Sequence, residues 1–420
     1  MNNSYDIVVM GAGPGGYVAA IRAAQYGGSV ALIEKDKVGG TCLNRGCIPS
    51  KNLLEAARRY KILQSSSEYG FSAADISFKW EDIVAKKDGI VTRLVKGIEY
   101  LLKKNRVDLI TGNAVLADKQ SIFIEQDGKK TRISAKKIIL ATGSTPVLPS
   151  SFNVDRKNIV TSREALSWKQ LPESLIIAGG GVIGCEFAML FSSFGVDVTI
   201  VEALPGLLAL TSLESAIIRR VQSIMKKQGV KIKTGARINE ISQESSAGIR
   251  VTLENGETIE AEKALACIGR RPNSENCGLE EIGIKKEENG TVPADDEMKT
   301  NVPGIYAIGD LNGRWQLAHA ASFQGMAAAA SAAGKGAHKM REDAVPYCIF
   351  TEPPVAMVGL NLKEARGKGM NAVQGRFPYK ALGKAVSSGH EEGMVMVCAD
   401  EKDGRVLGAQ IIGEGAPEMI

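Results

Sequence analysis

The sequence predicts an α/β fold built on two Rossmann-like units, followed by an α+β region at the C-terminal end. Three observations predict it. A glycine fingerprint opens the chain at Gly11-Ala12-Gly13-Pro14-Gly15-Gly16, and the same fingerprint returns at Gly179-Gly180-Gly181-Val182-Ile183-Gly184. Past Val345 the pattern changes to short alternating strands. Between the two fingerprints each landmark moves by 168 positions without a gap: Gly11 to Gly179, Gly13 to Gly181, Gly16 to Gly184, Gly27 to Gly195 and Glu34 to Glu202.

The first unit starts with the apolar run Ile7-Val8-Val9-Met10, suited to burial on both faces of a parallel sheet. A helix to Tyr26 and a strand Ser29 to Ile33 follow, ending in Glu34. Gly11 permits the turn, Gly13 lets a pyrophosphate approach the backbone, and Gly16 lets helix pack on strand. The helix N-terminus faces the phosphates, and Glu34 can accept hydrogen bonds from a ribose. The second unit repeats this with Leu175-Ile176-Ile177, a helix, and a strand Asp197 to Val201 ending in Glu202. One such unit is weak evidence; two with matched acids predict two bound dinucleotides, the arrangement of a flavoprotein that exchanges hydride with a nicotinamide. Glu202 favours NAD, because a carboxylate bonds the free 2′-hydroxyl and repels a 2′-phosphate. No arginine follows it in Ala203-Leu204-Pro205-Gly206.

Between the units lies Gly39-Gly40-Thr41-Cys42-Leu43-Asn44-Arg45-Gly46-Cys47-Ile48-Pro49-Ser50-Lys51. Its two cysteines stand at the mouth of a helix expected over Asn52 to Gln64. An extended segment would hold them too far apart for a disulfide, whereas a tight, helix-like turn could bring them together. A helix N-terminus also stabilises thiolate. The Cys-x4-Cys spacing opens one iron–sulfur pattern, but Ser50 stands where the third cysteine would be, and no second pair completes a zinc site. These residues are read as a redox-active pair, against two packed structural cysteines. Cys42 follows Glu34 by eight residues, so the flavin is expected on the first unit and the nicotinamide on the second.

Composition agrees. The 420 residues imply two to four domains. A net charge of +5 gives no case for nucleic acid, and seven cysteines without regular spacing do not form a secreted disulfide framework. Met1 to Asp6 carries no signal-peptide pattern, and no apolar run is long enough to span a bilayer. The expectation is a soluble, cytoplasmic protein without a membrane or nucleic-acid partner and without a metal.

Further along, residues 68–110 read as helix-rich, with apolar spacing across Ile90 to Leu102 and a strand at Val107 to Ile110. Asp127-Gly128 reads as a hairpin turn between Ser121–Glu125 and Lys130–Ile133, and Asn255-Gly256 as another. Pro146 to Ser151 reads as a linker. Tyr347 to Phe350, Val355 to Val358, Met394 to Cys398 and Val406 to Ile412 are the C-terminal strands, the last hairpin turning at Asp403-Gly404. Cys185, Cys267, Cys277, Cys348 and Cys398 read as small packed residues.

In combination these motifs resemble the pyridine nucleotide–disulfide oxidoreductases over nearly the whole chain. The segment Gly39 to Lys51 is most similar to the dihydrolipoamide dehydrogenases of that family, through Leu43 and Ile48-Pro49-Ser50-Lys51; Val182 points the same way. The resemblance implies FAD held by Gly11, Gly13, Pro14, Gly15, Gly16, Glu34, Lys35, Gly40, Thr41 and Lys51. It adds the crossover Thr142-Gly143-Ser144, a second flavin motif ending in Gly309-Asp310, and a helix start at Leu317-Ala318-His319-Ala320. NAD is assigned Gly179, Gly181, Val182, Ile183, Gly184, Glu202 and Gly269. Cys42 would face substrate and Cys47 the flavin, with Lys51 and Glu186 forming an ion pair near the reactive flavin nitrogen. The implied domains are 1–147 and 271–340 for FAD, 148–270 for NAD and 341–420 for a homodimer interface. The implied partner is a lipoyl-bearing acyltransferase or glycine cleavage carrier protein.

The chain departs from this pattern at its end, Gly413 to Ile420, where Pro417 starts a helix. Relatives continue and supply a His–Glu pair from the partner subunit; His319, His338 and His390 do not sit in that context. The expectation is a C-terminally shortened chain. Two alternatives stay open: an NADH-dependent reductase of another disulfide or small acceptor, and a flavin- and nucleotide-binding protein without disulfide turnover.

Overall fold

The computed structural model describes residues 3–244, 248–336 and 339–420; His338 lies outside the described residues. The chain divides into two compact units, one of Met1–Pro49, Lys86–Val147 and Arg270–Met340, the other of Ser50–Ala85, Leu148–Gly269 and Arg341–Ile420.

The first unit is built on a seven-stranded sheet in the order Asp108–Thr111, Val30–Glu34, Ser4–Met10, Lys129–Leu140, Ser121–Gln126, Asn113–Asp118, with Ile305–Ala307 also paired to Lys129–Leu140. The strands around Ser4–Met10 run parallel, Met10 lying level with both Ile33 and Leu140. Their apolar runs fit that position: Val8, Val9, Ile138, Ile139 and Leu140 are all fully buried, as a parallel sheet covered on both faces requires. Gln126 pairs with Lys129, so the hairpin turn is Asp127-Gly128. Both turn residues have positive φ, +49° and +72°, the type I′ conformation whose twist matches the flanking strands. The helices Pro14–Gln25 and Ala318–Ala332 pack closely. Gly15 and Gly325 permit this: a Cβ on Gly325 would meet the Gly15 carbonyl oxygen at 2.3 Å.

The second unit holds a five-stranded parallel sheet ordered Lys231–Thr234, Asp197–Glu202, Ser174–Ala178, Lys263–Ala266, Ile159–Thr161. Its first four strands repeat the order found around Ser4–Met10. A three-stranded antiparallel sheet spans 238–261, with Asn255-Gly256 in the turn of its second hairpin. A five-stranded antiparallel sheet is ordered Tyr347–Ile349, Val355–Gly359, Val406–Ile412, Met394–Asp400, Ala372–Pro378. Its core gathers Phe187, Phe191 and Phe194 from helix Val182–Ser193 and its C-terminal turn, with Tyr60, Phe78, Trp80 and Trp168 around them. Tyr60 stacks on Phe194 at 5.7 Å between ring centroids.

One element differs from the sequence reading. The helix expected from Asn52 starts five residues earlier, spanning Cys47–Gln64. Pro49 obscured this, yet a proline in the first turn removes an N–H that has no helical partner anyway. The helix-rich stretch 68–110 contains one long helix, Trp80–Lys104, after a 3₁₀ turn at Ser66–Tyr69. At the C-terminal end, Ala416–Met419 forms a helical turn with Pro417 at its start. Among the described residues no helix is long and apolar enough to cross a membrane.

Candidate functional site

In the first unit the fingerprint loop has the geometry its glycines allow. Gly11 has φ +102°, and a Cβ there would lie 2.4 Å from the Ala141 carbonyl oxygen. A Cβ on Gly16 would lie 1.8 Å from the Gly11 oxygen, so only glycine lets the helix start against the strand. Gly13 is the N-cap of Pro14–Gln25 and has no side-chain cap. The space where its Cβ would be is open among the described residues. The Glu34 carboxylate accepts the Ala12 N–H at 2.7 Å and the Asp36 N–H at 2.9 Å, fixing the loop to the strand end. Lys35 beside it is exposed.

The cysteine segment is docked on this loop. Gly39 N donates to Ala12 O at 2.7 Å, and Gly40, with φ +58°, approaches so closely that a Cβ would lie 2.6 Å from Gly13 Cα. A short helix Gly40–Arg45 carries Thr41 and Cys42, and Asn44 and Arg45 tie it back to Val38 and Asp36. Gly46 lies between this helix and the next: a Cβ on it would stand 2.9 Å from Thr41 O and 3.4 Å from Cys42 Cα. Cys47 follows directly as the first residue of its helix. The helix-like turn expected from the spacing is therefore present, and both cysteines are half-buried. Burial pushes the Tyr17 phenol up, and the charge of Cys42 adds to that shift. Burial also pushes the Arg270 guanidinium down, opposed by Asp310 and Cys47 and assisted by Arg45.

The remaining residues expected at the flavin, apart from Lys51, lie in the same unit. Ser144 Oγ donates to Asp310 Oδ2 at 2.5 Å and accepts from Arg270 Nε at 2.8 Å. Asp310 Oδ1 accepts no hydrogen bond among the described residues, which leaves it available to a hydroxyl ligand. Asn273 braces Thr142 and Gly143, exchanging bonds of 2.7–2.9 Å with their backbone and the Thr142 hydroxyl. Gly309 N donates to the buried Gln324 Oε1 at 2.7 Å. The helix Ala318–Ala332 has Leu317 at its N-cap and no side-chain cap; Ala318 and Ala320 lie in its first turn and His319 is exposed. Two uncapped helix starts, an open cradle at Gly13 and the spare Asp310 oxygen fit a dinucleotide with a polyol chain.

In the second unit the loop repeats. Gly179 has φ +108°, a Cβ on it would meet Cys267 O at 2.5 Å, and one on Gly184 would meet Gly179 O at 2.0 Å. Gly181 caps Val182–Ser193 without a side-chain bond and is open at Cβ among the described residues; Val182 and Ile183 begin the helix. Glu202 accepts the Gly180 N–H at 2.5 Å and the Leu204 N–H at 2.7 Å, as Glu34 does with the equivalent residues. Gly269 has φ +124°. Burial pushes the Cys267 thiol up to about 12 and pushes the Cys185 thiol up as well, so both stay protonated, as packed residues would. The cradle fits a second dinucleotide, with a carboxylate where a 2′-phosphate would be repelled.

Lys51 and Glu186 meet in this unit. Lys51 Nζ lies 3.1 Å and 3.0 Å from the two carboxylate oxygens. Glu186 is 6% exposed in its side chain, and its Oε1 also accepts the Phe350 N–H at 3.0 Å. The Lys51 ammonium stands 4.2 Å from the Phe350 ring centroid. Arg270 and Asn273 enter the sequence reading only within the run Ala266 to Asn273, which resembles the family's return to the flavin domain, and Gln324 and Phe350 have no functional role in it. The first two stand in Gly269-Arg270-Arg271-Pro272-Asn273, a motif with a visible signal; the others lie on elements whose pattern reports only packing.

The fold and site thus define a protein with two dinucleotide cradles and a cysteine pair docked on the first. Residues 5–325 match the pyridine nucleotide-disulphide oxidoreductase family, and residues 345–420 match its dimerisation domain. The chain is 40% identical over 434 residues to dihydrolipoyl dehydrogenase of Bacillus subtilis, covering 100% of this chain and 91% of the relative. It is 41% identical over 424 residues to dihydrolipoyl dehydrogenase of Chlamydia muridarum, covering 100% and 90%. The crystal structure of LpdA from Mycobacterium tuberculosis superposes with a TM-score of 0.92 at 27% identity, covering 99% of this chain and 91% of that one. The Cu(II) complex of the HOCl-induced flavoprotein disulfide reductase RclA from Escherichia coli gives 0.88 at 29%, covering 100% and 91%. This chain belongs to the pyridine nucleotide-disulphide oxidoreductase family. As a member it is an oxidoreductase that works with FAD and NAD, and it carries the family's dimerisation domain.

Proposed function

We propose that this protein oxidises dihydrolipoyl groups with NAD as final acceptor, through the Cys42–Cys47 disulfide and FAD. The observation that carries the reading is the cysteine turn, docked by Gly39 and Gly40 on the fingerprint loop of the first unit. The likeness to dihydrolipoyl dehydrogenases along the full chain gives the substrate class.

Gly11, Gly13, Pro14, Gly15, Gly16, Gly40, Thr41 and Glu34 would hold FAD at the loop, with Thr142, Gly143, Ser144, Gly309, Asp310 and the helix start at Leu317–Ala320 around the rest. Gly179, Gly181, Val182, Ile183, Gly184, Glu202 and Gly269 would hold NAD. When bound, FAD supplies acceptance of an electron pair from a dithiol and donation of hydride to NAD. The protein's own step is thiol–disulfide exchange. A thiolate of the dihydrolipoyl arm attacks Cys42 sulfur, the Cys42–Cys47 bond breaks, and Cys47 leaves as thiolate. The second substrate thiol then attacks the mixed disulfide, releasing Cys42 and closing the lipoyl ring. Substrate loses two electrons and two protons; the cysteine pair gains the electrons and passes them on, one proton staying on Cys42 as its thiol and the other going to solvent. Lys51 and Glu186 would hold a charge pair beside the flavin, tuning hydride transfer. The division into three domains with boundaries at 147, 270 and 340, a homodimer through 341–420, a lipoyl-bearing carrier as partner and a cytoplasmic location complete the proposal.

The test is steady-state NADH formation from dihydrolipoamide and NAD, with Cys42→Ser and Cys47→Ser as controls. The reading expects turnover with the parent protein and a loss of roughly 10³-fold or more in either variant. A second reading, reduction of another acceptor by NADH, is favoured by the likeness to RclA, a flavoprotein disulfide reductase. Absence of dihydrolipoamide turnover together with NADH oxidation by other disulfides or small acceptors would select it.

A further inference from the structure

We propose that Phe350, from the first strand region of the dimerisation segment, is a positioning residue that clamps the Lys51–Glu186 pair. The inference rests on the reading above only where it assigns that pair to the flavin; the clamp itself stands on the contacts of the second unit. Glu186 Oε1 accepts two donors, Lys51 Nζ and the Phe350 backbone N–H. The Phe350 ring covers the ammonium from another side at 4.2 Å, well within cation–π range. A lysine ends in a flexible four-carbon stem with three rotatable donors. One carboxylate therefore restricts its distance but leaves it free to pivot, whereas a carboxylate and an aromatic face together fix its direction.

The clamp is itself anchored. Ile349 is fully buried and paired with Val355, and Thr351 is buried with its hydroxyl donating to Pro353 O at 2.8 Å. Phe350 is held from both sides and cannot turn its N–H away from Glu186 without breaking those contacts. The same segment supplies the other groups that sense the pair. Burial and the Glu186 charge push the Tyr347 phenol up, and Cys348 is pushed up by burial and Glu418 and partly drawn back by Lys51. The dimerisation segment thus completes the environment of an ion pair whose two members lie in the dinucleotide-binding part of the chain.

The experiment compares the parent protein with Phe350→Leu, Phe350→Met and Phe350→Tyr. Lys51 is acylated with acetic anhydride at fixed pH, and its labelling rate relative to exposed lysines is read by peptide mass spectrometry. It is done on the flavin-free and flavin-loaded 420-residue chain, with the visible flavin spectrum recorded for the latter. The clamp predicts that Phe350→Leu and Phe350→Met raise Lys51 labelling roughly two- to thirtyfold, while Phe350→Tyr restores the parent rate. The flavin spectrum shifts only in the ring-free variants. Parent-like labelling in both ring-free variants, or labelling in Phe350→Tyr equal to theirs, overturns the clamp. Labelling that follows the ring beside a flavin spectrum indifferent to every variant keeps the clamp and removes the flavin-facing role of Lys51.

Discussion

Gly46 and Gly40 show how single residues make the site. Neither carries chemistry, but the approach of Gly40 to Gly13 fixes where the cysteine helix starts, and Gly46 fixes where it ends. Gly40→Ala would add a Cβ at 2.6 Å from Gly13 Cα on a residue with φ +58°. The expected cost is about 1–3 kcal/mol, with a drop in the flavin-to-protein ratio of purified material; an unchanged ratio and melting curve would contradict the geometry. Glu352 gives a pH prediction. Burial, then the charge of Glu414, pushes its carboxyl up, against Lys61, Arg58 and His390. Its folded pKa lies above its unfolded one, so the folded state binds the proton more tightly and stability falls as pH rises through the folded value. Glu352→Gln removes that penalty. It should raise Tm near neutral pH, by about 2 °C, and the gain should shrink as pH falls; a gain that grows toward acid pH would refute it. In the sequence, Glu352 is one more acid before a proline, and nothing marks its burial.

At the scale of elements, the two fingerprint units were legible because their constraint is steric and local. Gly11 and Gly179, and Gly16 and Gly184, sit where only glycine fits, so the repeat of 168 survives in the residues themselves. The two cradles should fail separately. Gly16→Ala should abolish flavin incorporation, while Gly184→Ala should retain flavin and raise the KM for NAD at least tenfold, an effect of about 1.4 kcal/mol or more. Loss of flavin in Gly184→Ala, or normal NAD kinetics, would show that the units are not assigned as argued. Elements whose position is set by distant packing were less legible. The strand Ala372–Pro378 went unread because its mostly exposed positions carry no clear alternation. The helix Ser215–Lys227 went unread although Ile217, Val221, Ile224 and Met225 are buried at helical spacing, a signal the sequence does carry. The early start of Cys47–Gln64 was hidden by a proline that the first turn of a helix tolerates.

For the whole molecule, the sequence reached the fold class and the order of its parts, since βαβ units and hairpins announce themselves by spacing. It also reached Lys51 and Glu186, though only through a resemblance; the pairing of residues 135 positions apart is a product of the fold. Phe350 became visible only when the chain was folded, because it acts through Glu186, 164 positions away in sequence. The account as a whole depends on one relay, from the Cys42–Cys47 pair to FAD and from FAD to NAD. The most direct test is an anaerobic titration of the flavin-loaded protein with NADH, followed across the visible spectrum beside Cys47→Ser. The account predicts a long-wavelength charge-transfer band in the parent protein after one equivalent, and its absence in Cys47→Ser. Simple bleaching of the parent flavin without that band would contradict the relay.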